Sequence, residues 1–166
     1  YSDSEWANIF EALQNALDSF YYGVKEIVTR ANYYVTLVLD PVGNSITITD
    51  NGKGWSRRNV EALWKMHVGD KNSAGTTTTA RRQKGSQALG IKAALFQSRF
   101  FKVEAKTSDE PAWEITLENF CEYDKENWIK TIPDPTELAV KDGVMSEEGT
   151  RVTIIPREEN WVERYL

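Results

Sequence analysis

The stretch Ile46-Thr47-Ile48-Thr49-Asp50-Asn51-Gly52-Lys53-Gly54 joins a strand to a turn that carries a carboxylate. The alternation of Ile and Thr predicts a half-buried strand that ends at Asp50. Two alternate glycines allow the backbone to turn sharply and approach a ligand closely, and the carboxylate would accept a hydrogen bond from an amino group such as that of adenine. Asp-Asn-Gly is also good turn chemistry, so the motif alone leaves a purely structural turn equally open.

The residues around this motif predict a long helix, a hairpin and a short helix. Apolar side chains at helical spacing predict an amphipathic helix over residues 4–30. Residues 34–40 and 45–50 predict a hairpin, because the Pro and Gly of residues 41–44 suit a turn. Ser56 is a candidate N-cap for a helix that ends near residue 66. The apolar residues expected on the buried side of the first helix are Trp6, Ile9, Phe10, Leu13 and Leu17.

The second half of the chain predicts a loop, a helix and several strands. Residues 67–86 combine glycines, a run of threonines and several cations with little apolar periodicity, which predicts a flexible loop. Residues 87–97 predict a helix, and residues 100–106, 113–118, 128–132 and 150–155 predict strands. The whole pattern predicts one domain over residues 1–166 with an α/β (α+β) two-layer sandwich fold, in which helices cover one face of a mixed β-sheet.

The composition excludes several classes of protein. With 166 residues, 40% hydrophobic and 27% charged, the chain is typical of a globular domain, and it contains no apolar run long enough to cross a membrane. A net charge of −5 argues against direct binding to a nucleic-acid backbone, so any contact with nucleic acid is expected only through a larger parent protein. The single Cys121 favours a reducing compartment, which predicts a cytoplasmic or nuclear location.

Three polar residues of the first predicted helix form a candidate catalytic face. Glu11, Asn15 and Asp18 follow one another at steps of four and three residues, which places them on one side of a helix. The Glu11 carboxylate could orient and deprotonate a water, and the amide oxygen of Asn15 could help to coordinate Mg²⁺. The same three residue types along a helix also commonly form a solvated face.

A glycine-containing stretch after the predicted loop forms a candidate anion site. Backbone N–H groups at a helix start bind phosphate, and the preceding cations could close over it. The stretch lacks the Gly-Lys-Ser/Thr of a Walker A motif, and the alternative is a loop that only caps a core helix. Its residues are Gly85, Ser86, Gln87, Ala88, Leu89, Gly90, Ile91 and Lys92.

The order of these motifs resembles that of the GHKL (Bergerat-fold) ATPases. Glu-x-x-x-Asn-x-x-Asp on a helix, strand-Asp-x-Gly-x-Gly, a flexible loop with a Gly-rich end, and Gly149-Thr150 on a late strand occur in this sequence over nearly the whole chain. Residues 82–95 and residues 149–152, the latter followed shortly by Trp161, are most similar to the ATPase subunit of type IIB DNA topoisomerases and to MORC-like proteins.

The resemblance implies a Mg²⁺-dependent ATPase and a role for each motif. Glu11 would be the general base, Asn15 the Mg²⁺ ligand and Asp18 a supporting polar residue. Asp50 would hold the adenine amino group with support from Thr150, while Gly52 and Gly54 would let the chain pass the nucleotide. Residues 67–86 would form the ATP lid with Lys71 as a basic lid residue, and Gly85 to Lys92 would meet the phosphates.

The resemblance also implies partners and leaves two other functions open. ATP or ADP would be the ligand, and ATP could drive homodimerisation or a conformational change in a larger assembly of further domains or subunits. A histidine-kinase-like phosphotransferase is one alternative, although His67, the one histidine, lies inside the domain. A nucleotide-binding interaction domain without turnover is the other, because Ala88 stands where topoisomerase-type relatives usually have glycine.

Overall fold

The computed structural model describes residues 9–10, 12–17, 32–57, 95, 97–119 and 140–166. Residues 9–10 and 12–17 are helical, and so is Leu95. The described strands, numbered in chain order, are β1 Val35–Asp40, β2 Ser45–Asp50, β3 Ser98–Lys106, β4 Trp113–Glu118, β5 Lys141–Asp142 and β6 Gly149–Pro156. A C-terminal helix spans Trp161–Tyr165.

The strands form one six-stranded sheet in the order β1-β2-β6-β3-β4-β5. Every pairing among these described strands is antiparallel, which corrects the expectation of a mixed sheet. The predicted hairpin is confirmed as β1 and β2, and the predicted strand over residues 113–118 coincides with β4. The described part of the chain agrees with the predicted α/β sandwich fold.

One face of the sheet is covered and builds the core. Alternate residues of each strand point to this face, and the cross-strand registers align them in rows. Buried side chains of β2, β3, β4 and β6 form one cluster with the first helix, with Leu95 and with the C-terminal helix. The rows are Leu39-Ile46-Ile154-Phe101-Leu117, Leu37-Ile48-Val152-Val103-Ile115 and Val35-Asp50-Thr150-Ala105-Trp113.

The buried side of the first helix differs from the sequence prediction. Ile9, Ala12 and Ala16 are buried, whereas Phe10 and Leu17 are exposed. Because a helix turns about 100° per residue, Phe10 and Leu17 point roughly a quarter turn away from Ile9. The apolar stripe of the sequence is therefore wider than the face that the sheet covers.

The opposite, outer face of the sheet carries a cluster of paired charges. Lys102 Nζ lies 2.9 Å from Glu114 and 3.6 Å from Glu104, and Arg151 lies 3.6 Å from Glu104. The hydrogen bond with Glu114 is the main cause that raises the pKa of Lys102 above its ordinary value, against the opposing effect of burial. Because Glu104 is buried beside two cations, its negative charge is compensated.

Some predicted elements lie outside the described residues, and others were not predicted. The helix after Ser56 (beyond residue 57), the lid over 67–86, most of the helix over 87–97 and the strand over 128–132 fall outside them. The short strand β5 and the C-terminal helix have no counterpart in the prediction. Within the described ranges, none of the helices has the length and apolarity needed to span a membrane.

Asn44 in the β1–β2 turn holds the C-terminal helix against the hairpin. Its backbone has φ of 49°, in the left-handed region that Asn tolerates better than most residues. Its side-chain amide donates to the Glu158 carbonyl over 2.8 Å and accepts from the Val162 N–H over 3.0 Å. This one side chain thus joins segments more than a hundred residues apart in the chain.

We expect Asn44→Gly to lower the free energy of unfolding by about 1–2 kcal/mol, because two hydrogen bonds are lost while glycine still permits positive φ. Urea unfolding followed by circular dichroism measures the loss. Asn119→Gly is the matched control, since Asn119 has a similar φ of 58° but is exposed. An equal loss in both variants would show that the amide contacts of Asn44 do not stabilise the fold.

Candidate functional site

Asp50 and Thr150 lie opposite each other at one end of the neighbouring strands β2 and β6. They are directly paired in the β2–β6 register, and both belong to the covered face. Asp50 is 4% exposed, and its Oδ1 accepts the N–H of Gly52 over 2.9 Å. Next to Thr150 in the same row lies Ala105, which has the smallest side chain of that row. The pairing places a buried carboxylate and a hydroxyl side by side, with a small residue beyond them.

Two glycines allow the chain after Asp50 to lie directly against the sheet. Gly54 has φ of 72°, and a Cβ there would overlap the carbonyl oxygen of Lys106 at the end of β3. Gly149 has φ of 144°, and a Cβ there would overlap the carbonyl oxygen of Asp50. Both positions combine positive φ with close backbone contact, so only glycine fits without displacement. The turn and the start of β6 are therefore packed backbone to backbone.

Asn51 fixes the turn to the residues that enter β1. Its Oδ1 accepts the Tyr34 N–H over 2.8 Å, and its Nδ2 donates to the Asn32 carbonyl over 2.6 Å. The backbone N–H of Asn51 also donates to the Tyr34 carbonyl. Two consecutive side chains therefore stabilise the turn: Asn51 bonds the residues that lead into β1, and Asp50 bonds the Gly52 N–H within the covered face.

Trp55, which follows the Asp50 turn, brings the chain into contact with β4. The indole N–H of the buried Trp113 donates to the Trp55 carbonyl over 2.8 Å. The two indole rings lie 6.0 Å apart between centroids at an angle of 53°, a tilted arrangement that aromatic pairs favour. This contact anchors the chain three strands away from β2, the strand that it has just left.

Residues 51–57 form a segment that crosses the end of the sheet, which we call the crossing segment. Glu110, in the loop between β3 and β4, holds the end of this segment. Its carboxylate accepts the Ser56 hydroxyl over 2.8 Å and the Arg57 N–H over 2.7 Å. Arg57 in turn donates to the Val140 carbonyl over 3.2 Å and lies 3.9 Å from Asp142 of β5. Residues 51–57 thus run across one end of the sheet, with contacts to β6, β3, β4 and β5 in turn.

The arrangement favours recognition of a chemical group that carries N–H donors. A buried carboxylate requires hydrogen-bond donors, and a carboxylate has about four lone-pair positions, of which Gly52 uses one. In the part of the chain that the structure describes, no three His, Cys, Asp or Glu side chains are grouped to hold a metal ion. The groups gathered at this end of the sheet are suited to accepting N–H donors, and Glu11, the residue predicted for catalysis, belongs to another segment.

A family model described as histidine kinase-, DNA gyrase B- and HSP90-like ATPase matches residues 3–150. The match covers most of the chain, including the first helix, the Asp50 turn and Thr150. The chain belongs to this ATPase family. Membership supports ATP binding, which agrees with the buried carboxylate and the hydroxyl at the sheet end. A comparison with curated proteins gives no match.

The structure brings together one part of the site that the sequence predicts for this member of the ATPase family. Asp50, Gly52, Gly54 and Thr150 gather at the end of β2 and β6. Asn15 is half-buried on the first helix, whose neighbouring residues Ala12 and Ala16 belong to the core cluster. The remaining predicted site residues lie outside the described residues: Glu11, Asp18, Lys71, Gly85, Ser86, Gln87, Ala88, Leu89, Gly90, Ile91 and Lys92.

Sequence reasoning missed the residues that hold the turn in place. Glu110 occurs in an acidic loop whose sequence gives no sign of a partner some fifty residues away. Trp55 directly follows Gly54, and Trp113 opens a strand. Nothing in the positions of these two residues in the sequence predicts that their rings contact each other. Only Asn51 carried a visible signal, because Asn beside the Asp and Gly of the turn suggests side-chain hydrogen bonds to backbone.

We expect Glu110→Ala to lower the free energy of unfolding by about 1–3 kcal/mol, since the Ser56 hydroxyl and the Arg57 N–H both lose a charged acceptor. Glu110→Gln should lose less, because its amide oxygen can accept from Arg57 while its NH₂ donates to Ser56. Urea unfolding of the two variants beside the wild type makes the comparison. Equal stability of Glu110→Ala and wild type would show that this carboxylate does not secure the crossing segment.

Proposed function

We propose that this chain is a Mg²⁺-dependent ATPase module whose nucleotide state gates dimerisation or a conformational change in a larger protein. The observation that carries the proposal is the pairing of the buried Asp50 with the half-buried Thr150 at one end of the sheet, beside a glycine-containing turn. Family membership supports the ATP-binding part of the proposal. One domain over residues 1–166 would contain the whole nucleotide site.

Asp50 would recognise adenine through the exocyclic amino group. The carboxylate accepts the Gly52 N–H at Oδ1, which helps to fix its orientation, and the amino group of adenine would donate to the carboxylate in the same way. The Thr150 hydroxyl, directly opposite across the strand pair, would bond a ring nitrogen or a bridging water. The low side-chain volume at Ala105 would leave space for a flat ring beside the pair.

Hydrolysis would depend on the first helix. Asn15 would supply an amide oxygen to Mg²⁺, which is a hard ligand of the kind that this ion prefers, and its half-buried position suits contact with a bound ligand. Glu11, one turn earlier, would orient and deprotonate the attacking water, and Asp18 would support the polar face. Bound Mg²⁺ would neutralise phosphate charge. Lys71 and residues Gly85 to Lys92 would enclose the phosphates.

The parent protein is proposed from the finer resemblance of the sequence. Similarity to type IIB topoisomerase ATPase subunits and MORC-like proteins favours a DNA-acting assembly in the cytoplasm or nucleus. The net charge of −5 suggests that other domains or subunits would contact the nucleic acid. A histidine-kinase-like phosphotransferase or a nucleotide-binding domain without turnover remains the alternative, and the hydrolysis experiment below separates them from the ATPase.

We expect Asp50→Ala to weaken binding of a non-hydrolysable ATP analogue by ~10- to 100-fold, because one hydrogen bond from the ligand to a charged acceptor is lost. Asp50→Asn should also weaken it: if its amide oxygen keeps the Gly52 N–H, the NH₂ group faces the adenine donor. Calorimetric titration with and without Mg²⁺ measures both variants, and circular dichroism verifies that they are folded.

Asp40→Ala is the matched control for this titration. Asp40 is a strand-ending aspartate like Asp50, but it lies at the opposite end of the hairpin, where it accepts the Val42 N–H. We expect the control to bind the analogue as the wild type does. Unchanged affinity in the two Asp50 variants, with a folded chain, would remove Asp50 from the site.

For hydrolysis we expect Glu11→Ala to reduce kcat by at least ~100-fold, the usual contribution of a general base, while the affinity for the analogue stays within about threefold. Phosphate release measured at saturating ATP gives kcat, and the same calorimetric titration gives affinity. Wild-type turnover that persists in Glu11→Ala would exclude Glu11 as the base. Transfer of the γ-phosphoryl group to protein, rather than release of phosphate, would favour the phosphotransferase alternative.

A further inference from the structure

The two edges of the sheet differ in how they are protected against pairing with another chain. The β5 edge is two residues long and consists of Lys141 and Asp142, a short charged edge of the kind that prevents association. The β1 edge has six residues, of which five are Val, Thr or Leu, and it contains no Pro, Lys or Arg. In the described part of the chain β2 is the only strand that pairs with β1.

Apolar side chains along β1 are also unusually exposed. Leu37 is 39% and Val38 is 50% exposed, and they point to opposite faces of the sheet. Tyr34, just before the strand, extends the exposed apolar rim. Exposed apolar groups on an unprotected edge strand favour pairing with a further strand.

The backbone geometry identifies which groups of β1 point outward. The N–H and C=O of Tyr34 are both bonded to Asn51, on the side of β2. Because these directions alternate along an antiparallel strand, the N–H and C=O groups of Val35, Leu37 and Leu39 point away from β2. None of these three residues has a second backbone partner among the described residues.

We propose that β1 pairs antiparallel with β1 of a second copy of this chain, around a two-fold axis at Leu37. This register sets Leu37 opposite Leu37 and Val35 opposite Leu39, so each outward-pointing residue exchanges two hydrogen bonds with its counterpart. Thr36 falls opposite Val38, and Tyr34 falls opposite Asp40, where a phenol can donate to a carboxylate. No like charges oppose each other.

One of the two neighbouring symmetric registers, the one centred on Val38, is weaker. It sets Val35 opposite Pro41, which has no N–H to donate, and it moves the two Leu37 residues apart. The Leu37 register retains every outward-pointing donor of β1. It also joins the two sheets into one continuous sheet whose covered faces lie on the same side, because residues that oppose each other in an antiparallel pair share a face. The pairing requires no nucleotide and is independent of the proposed ATPase activity.

Sedimentation equilibrium of the full chain, from micromolar to millimolar concentration and without nucleotide, tests the proposal. We expect a reversible monomer–dimer equilibrium that Leu37→Lys abolishes, since two ammonium groups would lie directly opposite each other. Val42→Lys is the matched control, because Val42 is 97% exposed just beyond the strand; it should dimerise as the wild type does. A wild-type chain that stays monomeric throughout, or a Leu37→Lys chain that dimerises normally, would overturn the proposal.

A disulfide experiment tests the register even if Leu37→Lys folds poorly. Thr36 and Val38 form a non-hydrogen-bonded pair in the proposed dimer, with Cα atoms about 4.5 Å apart, which is within disulfide range. In a background with Cys121→Ser, an oxidised mixture of Thr36→Cys and Val38→Cys chains should give a covalent dimer. Either variant alone should give far less. Equal cross-linking in the mixture and in the single variants would contradict the Leu37 register.

Discussion

The close backbone contact of Gly54 with β3 and of Gly149 with Asp50 is the constraint on which the described site depends. At both positions φ is positive and a side chain would overlap a carbonyl oxygen. Because these residues have no Cβ, the chain that leaves β2 can cross the end of the sheet in contact with it. A larger residue at either position would lift residues 51–57 away from the strands and separate Asp50 from the contacts that orient it.

The contacts of residues 51–57 hold the turn after Asp50 in a defined conformation. Asn51 ties its beginning to the start of β1, the Trp55–Trp113 pair fixes its middle, and Glu110 holds its end through Ser56 and Arg57. Residues 51–57 contact β6, β3, β4 and β5. Asp50, which directly precedes them, lies in the covered face beside Thr150. The paired charges around Glu104 lie on the outer face, so the two faces of the sheet differ: Asp50 and Thr150 belong to the covered face, and the outer face is polar around Glu104.

The sequence was sufficient where local pattern decides structure and insufficient where distant segments meet. Alternation in residues 45–50 and 113–118 predicted β2 and β4 because a half-buried strand repeats every two residues. The pairing of Asp50 with Thr150 joins positions one hundred residues apart, so only the resemblance to a family, and not spacing, suggested that they act together. Phe10 and Leu17 were placed in the core because apolarity does not reveal how wide a helix face the sheet covers. Glu110 and Asn44 act through tertiary hydrogen bonds that leave no periodic trace in the sequence.

The most direct test of the account is amide NMR of the isotopically labelled chain during titration with Mg²⁺ and a non-hydrolysable ATP analogue. If adenine binds beside the crossing segment, the largest shift changes among the described residues should occur at Gly52, Gly54 and Thr150, and the amides of Val42 and Asn44 in the β1–β2 turn should remain unchanged. Saturable binding that leaves Gly52, Gly54 and Thr150 unmoved would contradict the assignment of this end of the sheet as the nucleotide site.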